Sequence, residues 1–305
     1  MKPRVLLDPA LPSFLVEPVQ AAYETRVRPA AQADQASVRA MVLTGGAQVS
    51  VDDLEALPAL EIITVFGVGY DGVPVDACRQ RNIRVTNTPD VLTEDVADIA
   101  MALTLMTHRR LAQAEQFVRG GNWLQGPFPL ATSVTGKLAG IVGLGRIGKA
   151  IAHRLEACGM RIAYHGRNAQ PEIGYQFYPN LVELAHAADL LVIACPGGPA
   201  TRHLIDASVL AALGLNGILI NISRGSVVDE EALVEAISAG TIAGAGLDVF
   251  AQEPRVPEAL IASDRVVLLP HVGSGTHETR GSMAQLCLQN LEAHFAGKPL
   301  LTPVA

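Results

Sequence analysis

Short apolar runs rich in β-branched residues recur along this chain, and helical patterns separate them. This alternation is typical of βα units, which build a parallel sheet covered by helices. The runs fall into two series, and the length of 305 residues also favours two domains. The first series predicts strands at Arg4–Leu7, Ala40–Leu43, Ile62–Phe66 and Ile83–Val85. The second predicts six strands, at Leu138–Val142, Arg161–Tyr164, Leu190–Ala194, Gly217–Ile222, Ala245–Val249 and Val266–Leu269.

Two longer helical patterns mark the passages between the two series. Thr93 can cap the first pattern, which Gly120-Gly121 ends. Thr276 can cap the second, which stops at Gly297. If both helices connect the domains, the carboxyl-terminal segment returns to the first domain and makes it discontinuous. The expected domains are residues 1–92 with 275–305, and residues 93–274.

Charge and cysteine content exclude several kinds of partner. The formal net charge is -7 and the basic residues are scattered, so no basic patch is expected for nucleic acid or an anionic membrane. No apolar run approaches the length of a membrane span, and Asp8, Pro9 and Pro12 interrupt any signal-peptide core. The four cysteines are far apart and lack CxxC spacing, which predicts free thiols in a reducing compartment. No metal site is expected. We expect a cytoplasmic protein whose partner is a small molecule.

A glycine-rich turn follows the first strand of the second series. Leu138–Val142 leads into Gly143-Leu-Gly145-Arg-Ile-Gly148, and a helical pattern follows. In such a turn Gly143 permits a tight bend, Gly145 lets a pyrophosphate approach the backbone, and Gly148 lets the helix pack on the strand. Residues 93–274 are therefore expected to form a Rossmann-type, doubly wound, dinucleotide-binding domain.

The end of the next strand predicts which dinucleotide binds. An NAD site usually has an acidic residue there, about 20 residues beyond the first glycine, to bind the ribose hydroxyls. Here the strand ends in Tyr164-His165-Gly-Arg167-Asn168, without a carboxylate. Arg167 can bind a 2'-phosphate, with His165 and Asn168 as helpers, which predicts NADPH and leaves NADH as the weaker alternative. The competing interpretation is that Arg167 is only a solvated surface cation.

Polar residues follow three further strands of the second series. They occur in Asn221-Ile-Ser-Arg224-Gly, in Asp248-Val-Phe-Ala-Gln-Glu253-Pro and in Pro-His271-Val-Gly-Ser. Open parallel sheets bind ligands outside the carboxyl ends of their strands, so these three loops are expected to converge on one site.

These blocks occur in an order typical of one family. NISRGSVVDEEAL, AGLDVFAQEP and LLPHVGSGT follow GLGRIG, with VFGVGYDGVPVDACRQRNIRVTNTPDVLTEDVADIAMAL upstream and CPGGPATRHLI between them. In these blocks, over nearly its whole length, the chain resembles the D-2-hydroxyacid dehydrogenases, and most of all their glyoxylate/hydroxypyruvate reductase branch. The resemblance implies a Rossmann-type cofactor domain, a smaller flavodoxin-like α/β substrate domain, and NADPH-dependent reduction of a 2-keto acid to the D-2-hydroxy acid.

The same resemblance implies roles for individual residues. Arg224, Glu253 and His271 are the expected catalytic triad, and Asp248 is expected to contact the nicotinamide carboxamide. The remaining implied cofactor contacts are Arg146, Ile147, Cys195, Pro196, Thr201, Ile222, Ser223 and Gly273.

The chemistry of keto-acid reduction needs the three residue types of this triad. Arg224 can bind the substrate carboxylate, or share its donors between carboxylate and carbonyl, because it stays charged. His271 can give the proton to the ketone oxygen, since histidine ordinarily titrates near working pH. Glu253 can orient the ring and favour the imidazolium. The cofactor supplies the hydride.

The first series supplies the expected substrate contacts. Val68 and Gly69 lie in a glycine-rich loop whose backbone N–H groups suit a carboxylate, and the resemblance gives them that role. Leu43 and Thr44 are expected to line the pocket near the substrate side chain. Glyoxylate and hydroxypyruvate suit a small pocket, whereas phenylpyruvate and hydroxyphenylpyruvate need a larger one, and both classes stay open.

Two alternatives concern assembly and function class. The segment from Gly121 to Pro129 is broken by Gly and Pro but carries Trp123 and Phe128, which are unfavourable to leave in water. The family resemblance makes it a dimer arm, so a homodimer is expected; the alternative is packing within one subunit. A nucleotide-sensing regulator or corepressor on the same fold is the competing function class.

Overall fold

The computed structural model describes residues 2–304 and divides into two compact units. The first unit comprises the chain up to Leu92 and from Thr276 onward, and the second runs from Thr93 to Gly275. The boundary between the second unit and the returning segment lies one residue beyond the expected position. Both units are α/β, and the fold class predicted from the sequence is confirmed.

The described part of the first unit has one sheet of five parallel strands in the order β2-β1-β3-β4-β5. This is the flavodoxin-like strand order. The strands are β1 Arg4–Leu7, β2 Glu24–Val27, β3 Val38–Thr44, β4 Ile62–Phe66 and β5 Arg84–Thr86. The helices of this unit are α1 Ser13–Ala22, α2 Gln32–Gln35, α3 Val51–Glu55, α4 Val75–Gln80 and α12 His277–Phe295.

The described part of the second unit has seven parallel strands in the order β12-β11-β10-β9-β6-β7-β8. The order reverses between β6 and β9, as in a Rossmann sheet. The strands are β6 Leu138–Val142, β7 Arg161–His165, β8 Gln176–Phe177, β9 Leu190–Ile193, β10 Ile218–Asn221, β11 Gly244–Leu247 and β12 Val266–Leu268. The α-helices are α5 Thr93–Arg109, α6 Leu111–Arg119, α7 Arg146–Ala157, α8 Leu181–Ala187, α9 Ala207–Leu213, α10 Glu230–Ala239 and α11 Glu258–Ile261, and short 3-10 helices occupy Asn122–Leu124, Pro199–Thr201 and Gly225–Val227.

Two strands and one helix break differ from the sequence prediction. β2 and β8 were not predicted because both are edge strands with polar or exposed residues. The single long helix predicted up to Gly120 is two helices, α5 and α6. Arg110 separates them in a left-handed backbone conformation with φ 51°. A turn signal is therefore missing from the sequence, since arginine rarely adopts this conformation.

Apolar faces of the central strands form the core of each unit. Strands β6, β9, β10 and β11 are buried along their full length. Such continuous burial is typical of parallel strands that are covered by helices on both faces. Their carboxyl ends are consequently the positions where polar side chains leave the core.

Within residues 2–304, no helix is long and apolar enough to cross a membrane. The same residues contain no group of three or more His, Cys, Asp or Glu side chains arranged to hold a metal ion. The four cysteines are free, and Cys158 alone among them is half-buried rather than buried.

Candidate active site and cofactor groove

The glycine turn after β6 has the shape that a dinucleotide requires. Gly143 has φ 96°, and a Cβ there would lie 2.6 Å from the backbone of Cys195. A Cβ on Gly148 would lie 2.1 Å from the carbonyl oxygen of Gly143, so α7 packs directly on the turn. A Cβ on Gly145 would meet nothing within 4 Å. Open space therefore faces Gly145 at the positive end of α7, which fits a pyrophosphate.

Two further residues of the turn were predicted as cofactor contacts, and a residue from another loop that supports the turn was not predicted. Arg146 is exposed and Ile147 is half-buried in the first turn of α7. Gln170, to which the sequence gave no role, donates its Nε2 to the carbonyl oxygen of Leu144 at 2.9 Å. It fixes the turn from a loop 26 residues away. No local pattern signals this contact, because it joins two segments that are distant in the sequence.

The predicted 2'-phosphate residues lie beside this turn. Val142 and His165 are partners in the β6–β7 register, and the Gly143 N–H donates to the His165 carbonyl at 2.9 Å. Arg167 and Asn168 follow in the next loop and are exposed. His165 is half-buried, and its Nδ1 bonds to the carbonyl of Tyr178 at 2.9 Å. Its Nε2 is therefore the ring atom that can face a ligand.

The loop after β9 carries the next predicted cofactor contacts. Thr201 donates its hydroxyl to the carbonyl of Pro196 at 2.7 Å, which closes the loop. The carbonyl of Cys195 accepts a hydrogen bond from the Ser223 hydroxyl. Burial raises the pKa of the Cys195 thiol to about 11, so it stays protonated at neutral pH. The loops after β9 and β10 are thus connected, and β9 is one of the two strands at the switch point of the sheet.

The turn after β10 presents Arg224 and is fixed by a buried side chain. Asn221 is 1% exposed; its Oδ1 accepts from the Ser223 N–H at 3.1 Å and its Nδ2 donates to the Arg224 carbonyl at 3.0 Å. Arg224 donates its Nη1 to the Ser223 carbonyl at 2.9 Å. Ile222, another predicted contact, is buried. The sequence pattern placed Asn221 at a strand end but did not reveal that its side-chain amide bonds to the backbone of Ser223 and Arg224.

Asp248, at the end of β11, grips the backbone after the candidate catalytic histidine. Its Oδ1 accepts from the Val272 N–H and its Oδ2 from the Gly273 N–H, both at 2.8 Å. His271 itself has φ 55°, a left-handed conformation that costs a non-glycine residue about 1 kcal/mol. Burial raises the pKa of Asp248 although the two N–H groups oppose the rise. The carboxylate therefore helps to hold a strained residue in place.

Glu253 and His271 form a hydrogen-bonded pair. His271 Nδ1 and Glu253 Oε2 are 2.7 Å apart, and Glu253 Oε1 accepts from the Phe250 N–H at 3.0 Å. Burial opposes ionisation of Glu253, but the hydrogen bond and charge of His271, the Phe250 N–H and the charge of Arg224 outweigh it and lower its pKa. The carboxylate is thus ionised and fixes Nδ1, so Nε2 is the nitrogen that can exchange a proton with a ligand.

The predicted substrate contacts of the first unit lie at the carboxyl ends of two neighbouring strands. Leu43 and Thr44 end β3 and pair in register with Val65 and Phe66 of β4, just before the Val68–Gly69 loop. Asn87, which the sequence left without a role, is buried and donates its Nδ2 to the Val68 carbonyl at 2.8 Å. This contact sets the orientation of the loop backbone.

The predicted arm segment divides into a packed and an exposed part. The Phe128 ring lies 5.3 Å from the Phe117 ring and 5.6 Å from the Arg110 guanidinium of the same chain. Within the segment, Trp123 is 68% exposed and Leu124 94%, and Leu130, the residue that follows the segment, is 99% exposed. Packing within the chain therefore accounts for Phe128 but not for the other three apolar side chains.

Comparison with known proteins identifies the family of the second unit. Residues 101–273 match the sequence model of the D-isomer specific 2-hydroxyacid dehydrogenase NAD binding domain. This match includes the glycine turn and the segments that carry Arg224, Glu253 and His271.

Relatives similar over most of the chain carry related names. The chain is 53% identical to a glyoxylate/hydroxypyruvate reductase of Arabidopsis thaliana over 88% of its own length and 86% of the relative's. It has the same identity and coverage against a hydroxyphenylpyruvate reductase of Plectranthus scutellarioides. A solved NADPH-dependent glyoxylate/hydroxypyruvate reductase of Sinorhizobium meliloti, in complex with NADP and malonate, superposes with a TM-score of 0.95 at 47% identity, covering 100% of this chain and 97% of that one. The chain therefore belongs to the D-isomer specific 2-hydroxyacid dehydrogenase family.

Proposed function

We propose that this protein is an NADPH-dependent reductase that converts a small 2-keto acid, such as glyoxylate or hydroxypyruvate, into the D-2-hydroxy acid. The observation that carries this proposal is the 2.7 Å contact between His271 Nδ1 and Glu253 Oε2. It gives the second unit an oriented proton donor at the edge of a dinucleotide-binding sheet. Relatives that are 53% identical bear reductase names of this chemistry.

Each member of the proposed triad has a distinct role in the reaction. Arg224 binds the substrate carboxylate and polarises the ketone, because its guanidinium presents several donors in one plane. His271 holds the proton on Nε2 and gives it to the ketone oxygen, while Glu253 keeps Nδ1 protonated and the ring oriented. Bound NADPH supplies the hydride.

The residues of the glycine turn and the neighbouring loops are proposed to hold the dinucleotide. The N–H groups at the start of α7 bind the pyrophosphate, and Gly145 leaves the space for it. Arg167 pairs with the 2'-phosphate, and His165 and Asn168 assist it. Asp248 would accept a hydrogen bond from the nicotinamide carboxamide, the role that the family resemblance implies for it. The NADP in the solved Sinorhizobium meliloti relative supports this choice of cofactor.

Residues of the first unit are proposed to bind the substrate. The backbone N–H groups of Val68 and Gly69 bind the keto-acid carboxylate, and Leu43 and Thr44 border the side chain of the substrate. Aromatic keto acids are the second candidate class, because the hydroxyphenylpyruvate reductase is as similar to this chain as the glyoxylate/hydroxypyruvate reductase is.

A substrate panel with NADPH tests the proposed function. The purified protein is assayed with glyoxylate, hydroxypyruvate, phenylpyruvate and 4-hydroxyphenylpyruvate by following the nicotinamide absorbance. We expect the highest kcat/KM for one of the two small acids, with the D enantiomer as the product where the product is chiral. A higher kcat/KM for the aromatic acids would transfer the proposal to that class. No turnover of any 2-keto acid would contradict the enzyme and favour a nucleotide-sensing regulator.

We also propose a homodimer in which a second copy covers the exposed apolar side chains around α6. Helix α6 has no buried residue, and its Leu111 and Val118 expose their side chains, as do Trp123, Leu124 and Leu130 further along the chain. Apolar side chains exposed in this way are unfavourable in water and indicate an interface.

The four free cysteines support a cytoplasmic location, since thiols stay reduced there.

A further inference from the structure

Both carboxylate oxygens of Glu253 are engaged, and one of them is bound by its own loop. Oε2 bonds to His271, whereas Oε1 accepts from the N–H of Phe250, three residues earlier. The direction in which Glu253 points therefore depends on where the backbone of Phe250 lies.

Gly225 fixes one side of this loop. A Cβ on Gly225 would lie 1.9 Å from the carbonyl carbon of Phe250, so the turn that carries Arg224 is in direct contact with the Glu253 loop. Phe250 is buried, but Ala251, Gln252 and Glu253 are exposed. Beyond Phe250, the loop thus leaves the core, and hydrogen bonds must hold it.

One such bond comes from a side chain that has no assigned role. The Ala251 N–H donates to Oε1 of Glu230 at 2.9 Å. Glu230 is the first residue of α10, and the preceding Asp229 caps this helix by accepting from the Ala232 N–H at 3.2 Å. The helix start fixes the backbone of Glu230, and its positive end favours a carboxylate there. Glu230 is therefore a firm acceptor 21 residues away from the loop that it binds.

We propose that Glu230 is a positioning residue for the Glu253–His271 pair, a role that rests on the proposed reductase function. Glu230 fixes the peptide N–H of Ala251, the adjacent peptide then presents the Phe250 N–H to Glu253, and Glu253 orients His271. Glu230 takes no part in binding substrate or in moving the proton. Its loss alters the geometry of proton donation and leaves substrate binding by Arg224 in place.

Three variants test this role. Glu230→Met keeps the length and helix propensity of the side chain but has no oxygen to accept the Ala251 N–H. Glu230→Gln keeps an acceptor oxygen without the charge. Glu231→Met is the matched control, because Glu231 is an exposed acidic residue in the same first turn of α10.

We expect Glu230→Met to lower kcat by about tenfold with KM for the keto acid changed by less than about twofold, since misplaced catalytic groups slow turnover more than binding. Glu230→Gln is expected to retain kcat within about twofold, and Glu231→Met to match the wild type. Wild-type kcat in Glu230→Met, or an equal loss in Glu231→Met, would overturn the proposal.

Hydrogen–deuterium exchange of the peptide spanning Asp248–Val256 provides a readout that does not depend on turnover. Faster exchange of this peptide is expected in Glu230→Met and not in Glu231→Met or Glu230→Gln. Unchanged exchange in Glu230→Met would overturn the positioning contact even if kcat fell. An inactive wild type whose loop still loosens in Glu230→Met would contradict the reductase function while leaving the contact itself established.

Discussion

At the scale of single residues, Arg167 decides the expected cofactor preference. Replacing it with Ala removes the cation at the end of β7, and we predict that kcat/KM for NADPH falls by about tenfold or more while that for NADH changes by less than about twofold. Steady-state kinetics with both cofactors measures the ratio. Arg161→Ala, at the opposite end of the same strand, is the control and should leave the ratio unchanged. A wild-type preference for NADH would refute the assignment.

Glu253 is predicted to make stability depend on acidity. The pKa of Glu253 in the folded protein lies below the ordinary value of 4.5. The ionised carboxylate therefore stabilises the fold at pH values above 4.5. This contribution is lost as the pH falls through the lowered pKa.

Urea unfolding at pH 6 and pH 3.5 tests this dependence. The urea concentration at the unfolding midpoint should fall more between pH 6 and pH 3.5 for the wild type than for Glu253→Gln. Glu258→Gln, an exposed glutamate of α11, serves as the reference and should behave as the wild type. An equal loss of midpoint in wild type and Glu253→Gln would argue against the ionised, paired carboxylate.

Residues at strand ends could be predicted as site candidates, but their supporting contacts could not. Arg224, Glu253 and His271 follow buried strands, and the carboxyl ends of parallel strands meet at one edge of a sheet. Asn221, Gln170 and Asn87 act through hydrogen bonds to the backbone, in two cases from loops far away in the sequence. The identity of a polar residue does not specify its partner, so these contacts become visible only in three dimensions.

At the scale of elements, the glycine turn and α7 separate two roles of glycine. Gly148→Ala places a methyl group against the Gly143 carbonyl, which we predict to destabilise the protein by about 1–3 kcal/mol without ligand. Gly145→Ala meets no protein atom within 4 Å, so its stability should stay near that of the wild type. The same methyl group should raise the Kd for NADPH by about tenfold or more, because it occupies the space for the pyrophosphate.

Thermal unfolding without ligand and fluorescence titration with NADPH distinguish the two variants. A Gly145→Ala variant that is as unstable as Gly148→Ala, or that binds NADPH as tightly as the wild type does, would contradict these two roles.

Apolar periodicity reflects burial, so the central strands could be predicted from the sequence. The same holds for the two long helical patterns, one between the two units and one near the carboxyl terminus. Thr276 caps α12 as expected, with its side chain accepting from the Thr279 N–H at 3.2 Å. The edge strands β2 and β8 carry little apolar signal, and the break at Arg110 depends on a conformation that its residue type disfavours. Errors of prediction thus fall where tertiary contacts, rather than local pattern, determine the backbone.

At the scale of the whole molecule, the exposed apolar segment around α6 predicts the assembly. Leu124→Ser combined with Leu130→Ser removes two side chains that are 94% and 99% exposed, which should weaken a dimer held by this surface. Light scattering at about 10 µM should give twice the chain mass of 32.1 kDa for the wild type and a smaller mass for the double variant. Ile261→Ser, an exposed apolar residue of α11, is the control and should remain dimeric. A monomeric wild type would reject the interface.

The most direct test of the reductase mechanism is the turnover of His271→Asn with NADPH and the best keto acid of the panel. Asparagine tolerates the left-handed backbone of His271 but cannot transfer a proton. His203→Asn is the matched control, because His203 is also left-handed, with φ 50°. We predict a fall in kcat of about 100-fold or more for His271→Asn, with the fold and NADPH binding retained, and wild-type turnover for His203→Asn. Near-normal turnover of a folded His271→Asn variant would contradict the mechanism.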